Sequence, residues 1–158
     1  MIQTNQLLSG RTLRQTARLT REQRQSERQD ERDALRIALI VELTINLLAL
    51  KDNVDKLKNI SDDEGALMPT KAIDDIYQSF VGRAGLLTRF EVEMIMYAYK
   101  SLETFRANLT LLGSREDFYD EHIYVPGQNT AVLAEASQNL MGHINRAIEA
   151  IRQFTTDE

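Results

Sequence analysis

Large apolar residues are sparse over the first thirty-three positions of this chain and crowd together immediately afterwards. Between Arg11 and Asp33 only Leu13 and Leu19 are large and apolar. From residue 34, "ALRIALIVELTINLLALKDNVDKLKNI" sets Leu35, Leu39, Leu43, Leu47, Leu50, Val54 and Leu57 three and four apart, the spacing of one helical face. Ile37, Ile40, Val41, Ile45 and Leu48 widen the apolar surface nearly all round from 34 to 50, which predicts the central core helix of the fold. No glycine or proline lies between Arg11 and Asp33, so the polar stretch is expected to run into this helix without a stop.

"SDDEGALMP" at 61 to 69 breaks the pattern and reads as a loop. Ala72, Ile73, Ile76, Tyr77, Phe80 and Val81 then mark one side of a short helix, with Thr70 as its expected N-cap and Gly82 and Gly85 as its end. In "LTRFEV", Thr88 and Glu91 fit a capping box, and Leu87 and Val92 fit the hydrophobic staple around it. The helix so started carries Val92, Ile95, Tyr99, Leu102, Phe105, Leu109 and Leu112 on one face and ends before Gly113. Residues 113 to 129, acidic and aromatic with a Pro-Gly turn, read as a long loop. A last helix over about 131 to 154 presents Leu133, Leu140, Ile144, Ile148 and Ile151.

Composition fits this pattern. The chain has 158 residues, seven Gly, two Pro and no Cys or Trp, and abundant residues that lose little rotamer freedom in a helix. The predicted fold is all-α: an antiparallel bundle of about four helices with a long N-terminal helical extension. It divides into a polar extension over 1–33, a coiled coil or tether, and a bundle domain over 34–158. Without cysteine there is neither a disulfide framework nor a thiolate metal site. The segment 34–50 carries Arg36, Glu42 and Asn46 and is too short to span a bilayer, and Met1 to Gly10 lacks the layout of a secretory signal.

Charge changes the picture more. Residues 1–33 hold seven arginines against five acids, while the rest of the chain holds twelve basic against nineteen acidic side chains. At about 100° per residue, Arg11, Arg14, Arg18, Arg21, Arg24, Arg28 and Arg32 fall within an arc of roughly 140°, with all five acids outside it. These seven arginines are the candidate partner- or surface-binding residues. A polar helix of this kind is marginal alone, so a second copy, a partner helix or an anionic membrane surface near the N-terminus is expected to hold it. The interleaved acids, the absence of aromatic residues among the arginines and the acidic body argue against nucleic acid.

"LRQTARLTREQ" running into an apolar helix, followed by "YQSFVGRAGLLTRFEVEMIMYAYKSLE", resembles a loose group of uncharacterised bacterial proteins over roughly residues 11 to 110. In that group a short transmembrane anchor precedes the arginine-rich helix and a small cytosolic helical domain follows it. No such anchor is present among residues 1–10 here. The resemblance implies an interaction or oligomerisation module in the cytoplasm, at the cytoplasmic face of the inner membrane, with no activity to carry over.

Chemistry-bearing motifs are few. There is no Gly-rich phosphate loop, no H-E-x-x-H, no EF-hand loop and no Glu-x-x-His pair, and neither a cofactor nor a metal site is expected. Asp62, Asp63 and Glu64 read as a solvated acidic loop. Arg115 and His122, with six residues between them, resemble the Arg-x4-6-His signature of HEPN ribonucleases, which implies a catalytic alternative acting on a scissile phosphate; the family carries that motif on a helix, whereas here it stands in a loop among four carboxylates. His143 reads as an ordinary helix histidine, and Met94, Met96, Tyr97 and Tyr99 as core and boundary residues. Glu42 and Asn46, one turn apart in the most apolar helix, are either edge residues facing water or a buried polar pair that fixes register against a partner helix.

Overall fold

The structure, a computed structural model, describes residues 2–61, 64–113 and 122–155, with side chains from residue 13 onward. Helix α1 is continuous from Ile2 to Lys58 and closes on Lys56 and Lys58, cations at the negative end of the helix dipole. After it come α2 (Asp75–Phe80), a 3₁₀ segment (Val81–Leu86), α3 (Arg89–Leu112) and α4 (Thr130–Gln153). The fold is all-α in its bulk, with three long helices and one six-residue helix. Arg36 of α1 meets Glu91 of α3, and Glu42 meets Tyr99, so these two helices run in the same direction. Asn129 at the head of α4 donates to the Leu112 carbonyl at the foot of α3, and Arg36 reaches the Phe154 carbonyl beyond the far end of α4. Helix α4 therefore lies antiparallel to both, and its apolar face, Leu133, Leu140, Ile144 and Ile151, is fully enclosed.

Two strands, β1 (Gly65–Pro69) and β2 (His122–Pro126), pair antiparallel with Met68 opposite Ile123 and Leu67 opposite Tyr124. Both stretches were expected to be loop. Their period-2 alternation explains the difference: Ala66, Met68, Ile123 and Val125 turn inward and are buried, while Leu67 points outward. Close approach requires glycine at two places. A Cβ on Gly65 would stand 2.2 Å from the Tyr124 ring, and one on Gly113 would stand 1.9 Å from the Ile123 side chain.

The short helix also departs from expectation, since it starts at Asp75 and Thr70 is not its cap. Asp74, at the N-cap position, makes no side-chain cap bond. The cap comes from α1 instead. The Glu42 carboxylate accepts from the backbone N–H of Ile76 at 2.6 Å and of Tyr77 at 3.1 Å, and from the Tyr99 hydroxyl. One turn on, the Asn46 side chain accepts from the Ile73 N–H at 3.1 Å and donates to the Ile73 carbonyl at 2.7 Å. Glu42 and Asn46 are thus the buried, register-fixing pair of the sequence reading, acting on a segment of their own chain. Tyr77 stacks on Tyr99 with ring centroids 3.9 Å apart and closes the site.

Helix α1 is not enclosed all round. Leu35, Leu39 and Leu43 are buried, yet Ile37, Val41, Ile45 and Leu48 keep 59, 53, 43 and 61 % of their surface exposed. Helices α2, α3 and α4 cover one side of α1, and the aliphatic residues of the opposite side have no neighbour among the described residues.

Two outcomes follow from the Glu42 site. Glu42→Gln exchanges one acceptor oxygen for a donor that faces backbone N–H groups, and should cost about 2–3 kcal/mol in urea denaturation; a loss under about 0.5 would show that α2 is held by packing alone. Burial, and then the hydrogen bond and charge of Glu42, hold the Tyr99 hydroxyl well above the usual tyrosine range. A raised folded value means that this contribution is complete below the unfolded value near 10 and declines above it, so stability should fall more steeply beyond that pH in the parent than in Tyr99→Phe.

Candidate interaction surface

At about 100° per residue, the arc of α1 that carries the arginines is the arc that carries Leu35, Leu39, Leu43 and Leu50 lower down. The arginine stripe is thus the upward continuation of the buried face, beyond the end of the bundle. Every described side chain from Leu13 to Arg28 is exposed, including Arg14, Arg18, Arg21, Arg24 and Arg28. The Arg11 side chain lies outside the described residues. Arg18 pairs with Glu22 one turn on at 2.7 Å, and Gln23 donates to Glu27, so part of the polar support is internal to the helix. Arg32 differs from the rest: its Nε donates to the Leu86 carbonyl at 2.7 Å, which makes it the first arginine of the stripe to touch the body.

Arg36, one turn further, is the point where the stripe enters the core. It is buried, and its Nε and second terminal nitrogen donate to the two carboxylate oxygens of Glu91 at 2.8 and 3.3 Å. The other terminal nitrogen reaches Asp33 at 3.2 Å and the Phe154 carbonyl at 3.0 Å, with the Phe154 ring 5.9 Å from the guanidinium. Burial works against this charge, but the hydrogen bond and charge of Glu91, and then those of Asp33, outweigh it and raise the guanidinium pKa above its ordinary value. Glu91 has a second duty. Its carboxylate accepts from the Thr88 N–H at 2.8 Å while the Thr88 hydroxyl accepts from the Glu91 N–H at 3.3 Å, which is the expected capping box. The box was legible in "LTRFEV"; the partner Arg36, 55 residues away, was not.

The other candidate chemistry is dispersed. His122 opens β2 opposite Pro69, so it sits on a strand; Arg115 lies outside the described residues, as do Asp62 and Asp63. His143 on α4 meets the Tyr97 ring edge-on at 4.7 Å and its buried Nδ1 has no hydrogen-bond partner, so it is less fully satisfied than an ordinary helix histidine. Among the described residues no group of three His, Asp or Glu is placed to hold a metal ion. No helix of the described residues is long and apolar enough to cross a membrane. No protein family, curated protein or solved structure matches this chain.

The two halves of the capping box should therefore respond unequally. Thr88→Ala removes one cap bond and should cost about 1 kcal/mol. Glu91→Ala also strands the buried Arg36 charge and should cost about 3–5 kcal/mol. Pairing Glu91→Gln with Arg36→Met keeps a cap acceptor and removes the charge, and should recover most of that loss in chemical denaturation; equal losses for Thr88→Ala and Glu91→Ala would mean that the ion pair contributes nothing.

Proposed function

We propose that this chain is a non-enzymatic helical interaction module, in which the bundle carries a projecting arginine-faced helix that docks on an anionic membrane surface, at the cytoplasmic face of the inner membrane. The observation that supports this reading most is the complete exposure of residues 13–28 together with the alignment of their five arginines on one face. An exposed polar helix buries nothing of its own and is marginal in water, so its order depends on the rigid helix below it and on what it meets. Charge separates in the same way. Residues 1–28 carry six arginines against two glutamates, a balance of +4, whereas the remaining chain carries thirteen basic against twenty-two acidic side chains, a balance of −9. An anionic surface attracts the projecting helix and repels the body, which favours an end-on or edge-on approach. Among the described side chains of this stretch the large apolar ones are Leu13 and Leu19, and they lie off the arginine face, so attachment through that face is electrostatic and salt-sensitive.

The full chain should co-float with vesicles containing phosphatidylglycerol at low salt, and not with phosphatidylcholine vesicles. At about 1 kcal/mol per basic residue near the surface, replacing Arg14, Arg18, Arg21, Arg24 and Arg28 with Gln should weaken binding by roughly several thousandfold. The fragment 29–158 retains Arg32, Asp33 and Arg36 with all their contacts and should melt within a few degrees of the full chain while failing to float. A full chain that ignores anionic vesicles at low salt while gaining mass on an acidic protein would replace the membrane with a protein partner.

A further inference from the structure

The exposed aliphatic stripe of α1 is the strongest feature that the bundle leaves unused. Ile37, Val41, Ile45 and Leu48 recur at intervals of four, four and three and fall within an arc of about 80°, opposite the buried leucines. No other described helix carries four exposed large apolar residues in such a row. The stripe also offers almost no polar group. Ala34 and Ala38 extend it, and its one polar member, Thr44, donates its hydroxyl to the Ile40 carbonyl at 2.7 Å and so turns a methyl group outward. Along about 16 Å of helix there is no charged side chain on this face. A stripe of a few hundred Å² is the size of patch that marks an interaction site on a folded protein.

We infer that this stripe is covered by a second copy of the chain, with α1 packed antiparallel on α1 about a twofold axis near residue 42. The inference rests on the reading of the protein as an interaction module and names one of its partners. Charge on the two flanks selects both the partner and the direction. Lys51 and Asp33 share one flank of the stripe, and Lys56, Glu27 and Glu31 share the other. In an antiparallel pair each flank meets the same flank of the partner copy with the order reversed. Lys51 then comes level with Asp33 of the second copy, and Lys56 comes between its Glu27 and Glu31. In a parallel pair opposite flanks meet at the same height, which sets Glu31 against Asp33 and Lys56 against Lys58. Asp30 and Asp55 meet an acid either way and do not discriminate, and Asp52, on the same face, is paired with Lys56 of its own helix at 2.6 Å, so the Lys51–Asp33 contact selects the direction most directly. The apolar stripe supplies part of the roughly 800 Å² per copy that a stable pair buries, and these charged flanks supply the rest.

The geometry has a functional consequence. Residues 13–25 of each copy overhang the far end of the other, and because each arginine face lies on the side of its own bundle, the two faces of the dimer point in opposite directions. Such a dimer joins two anionic surfaces, whereas a monomer only coats one.

The test uses the full chain, which has no native cysteine. Sedimentation at tens of micromolar should give twice the chain mass, and Val41→Glu should give the single mass with unchanged helical circular dichroism. Ile37→Cys and Leu48→Cys, mixed and oxidised, should cross-link 37 to 48 and not 37 to 37, since the two copies of residue 37 stand about 16 Å apart along the antiparallel pair. Lys56→Glu should weaken self-association at least tenfold, and adding Glu27→Lys and Glu31→Lys should restore it. A monomeric parent, or dominant 37 to 37 cross-links, overturns the inference. If the parent clusters phosphatidylglycerol vesicles, Val41→Glu should bind them without clustering, and a Val41→Glu variant that still clusters them also overturns it. If the parent binds no vesicle at all, membrane docking fails while sedimentation and cross-linking still decide the dimer.

Discussion

A carboxylate with no exposed surface, Glu91, holds the upper end of this fold together. An ion of that size inside a protein is tolerated only when its oxygens are met by fixed donors, and three are supplied: the Thr88 N–H and two nitrogens of Arg36. The requirement propagates. To bring Arg36 there, α1 must lie alongside the first turn of α3, and to use its remaining N–H groups Arg36 must also reach Asp33 and the Phe154 carbonyl. One buried charge thus ties the start of α3 and the end of α4 to the middle of α1. Glu42 repeats the device lower down, taking two backbone N–H groups of α2 and the Tyr99 hydroxyl. Between them the two carboxylates set the direction and the register of α1 against α3, which aliphatic packing alone specifies loosely.

This explains which features the sequence makes legible. The long helices rest on apolar residues repeated over six or more turns, and the capping box lies within four consecutive residues, so both can be read locally. Strands of five residues each give only two or three alternations. "GALMP" and "HIYVP" become strands through pairing with a segment more than fifty residues away. The start of α2 is not legible near Thr70, because the group that caps it, Glu42, sits 34 residues before Ile76 on another helix. For the candidate surface, the angular arc of the arginines followed from spacing alone. That the same arc becomes the core face of α1, and that Arg32 and Arg36 enter the body while Arg14 to Arg28 stay outside, depends on where the bundle stops.

The aliphatic residues of α1 show a different limit. Periodicity assigns an angle to each side chain but says nothing about what lies at that angle. Leu39 and Val41 are equally apolar and two positions apart; one is completely buried and the other keeps half its surface. A helix apolar nearly all round reads as enclosed, yet a bundle of this size covers α1 on one side only. Enclosure then needs more protein than one copy provides.

Helix α1 therefore carries three environments on one rod: a face built into the bundle, an aliphatic stripe opposite it, and an arginine stripe where the built-in face runs past the end of the bundle. The substitution of arginine for leucine along that last stretch is physically economical. Leucines at 14, 18, 21 and 28 would continue the core face into solvent and create an open apolar strip that aggregates without specificity. Arginines keep the helix soluble, and each presents planar donors that lose little freedom when they meet an oxyanion. Arg36 already shows the outcome of such a meeting, because the same stripe, on reaching a carboxylate in the body, pairs with it through two hydrogen bonds and becomes buried. The exposed arginines above it differ from Arg36 only in having no acidic neighbour from the bundle, and an anionic surface of suitable spacing would supply what Glu91 supplies below.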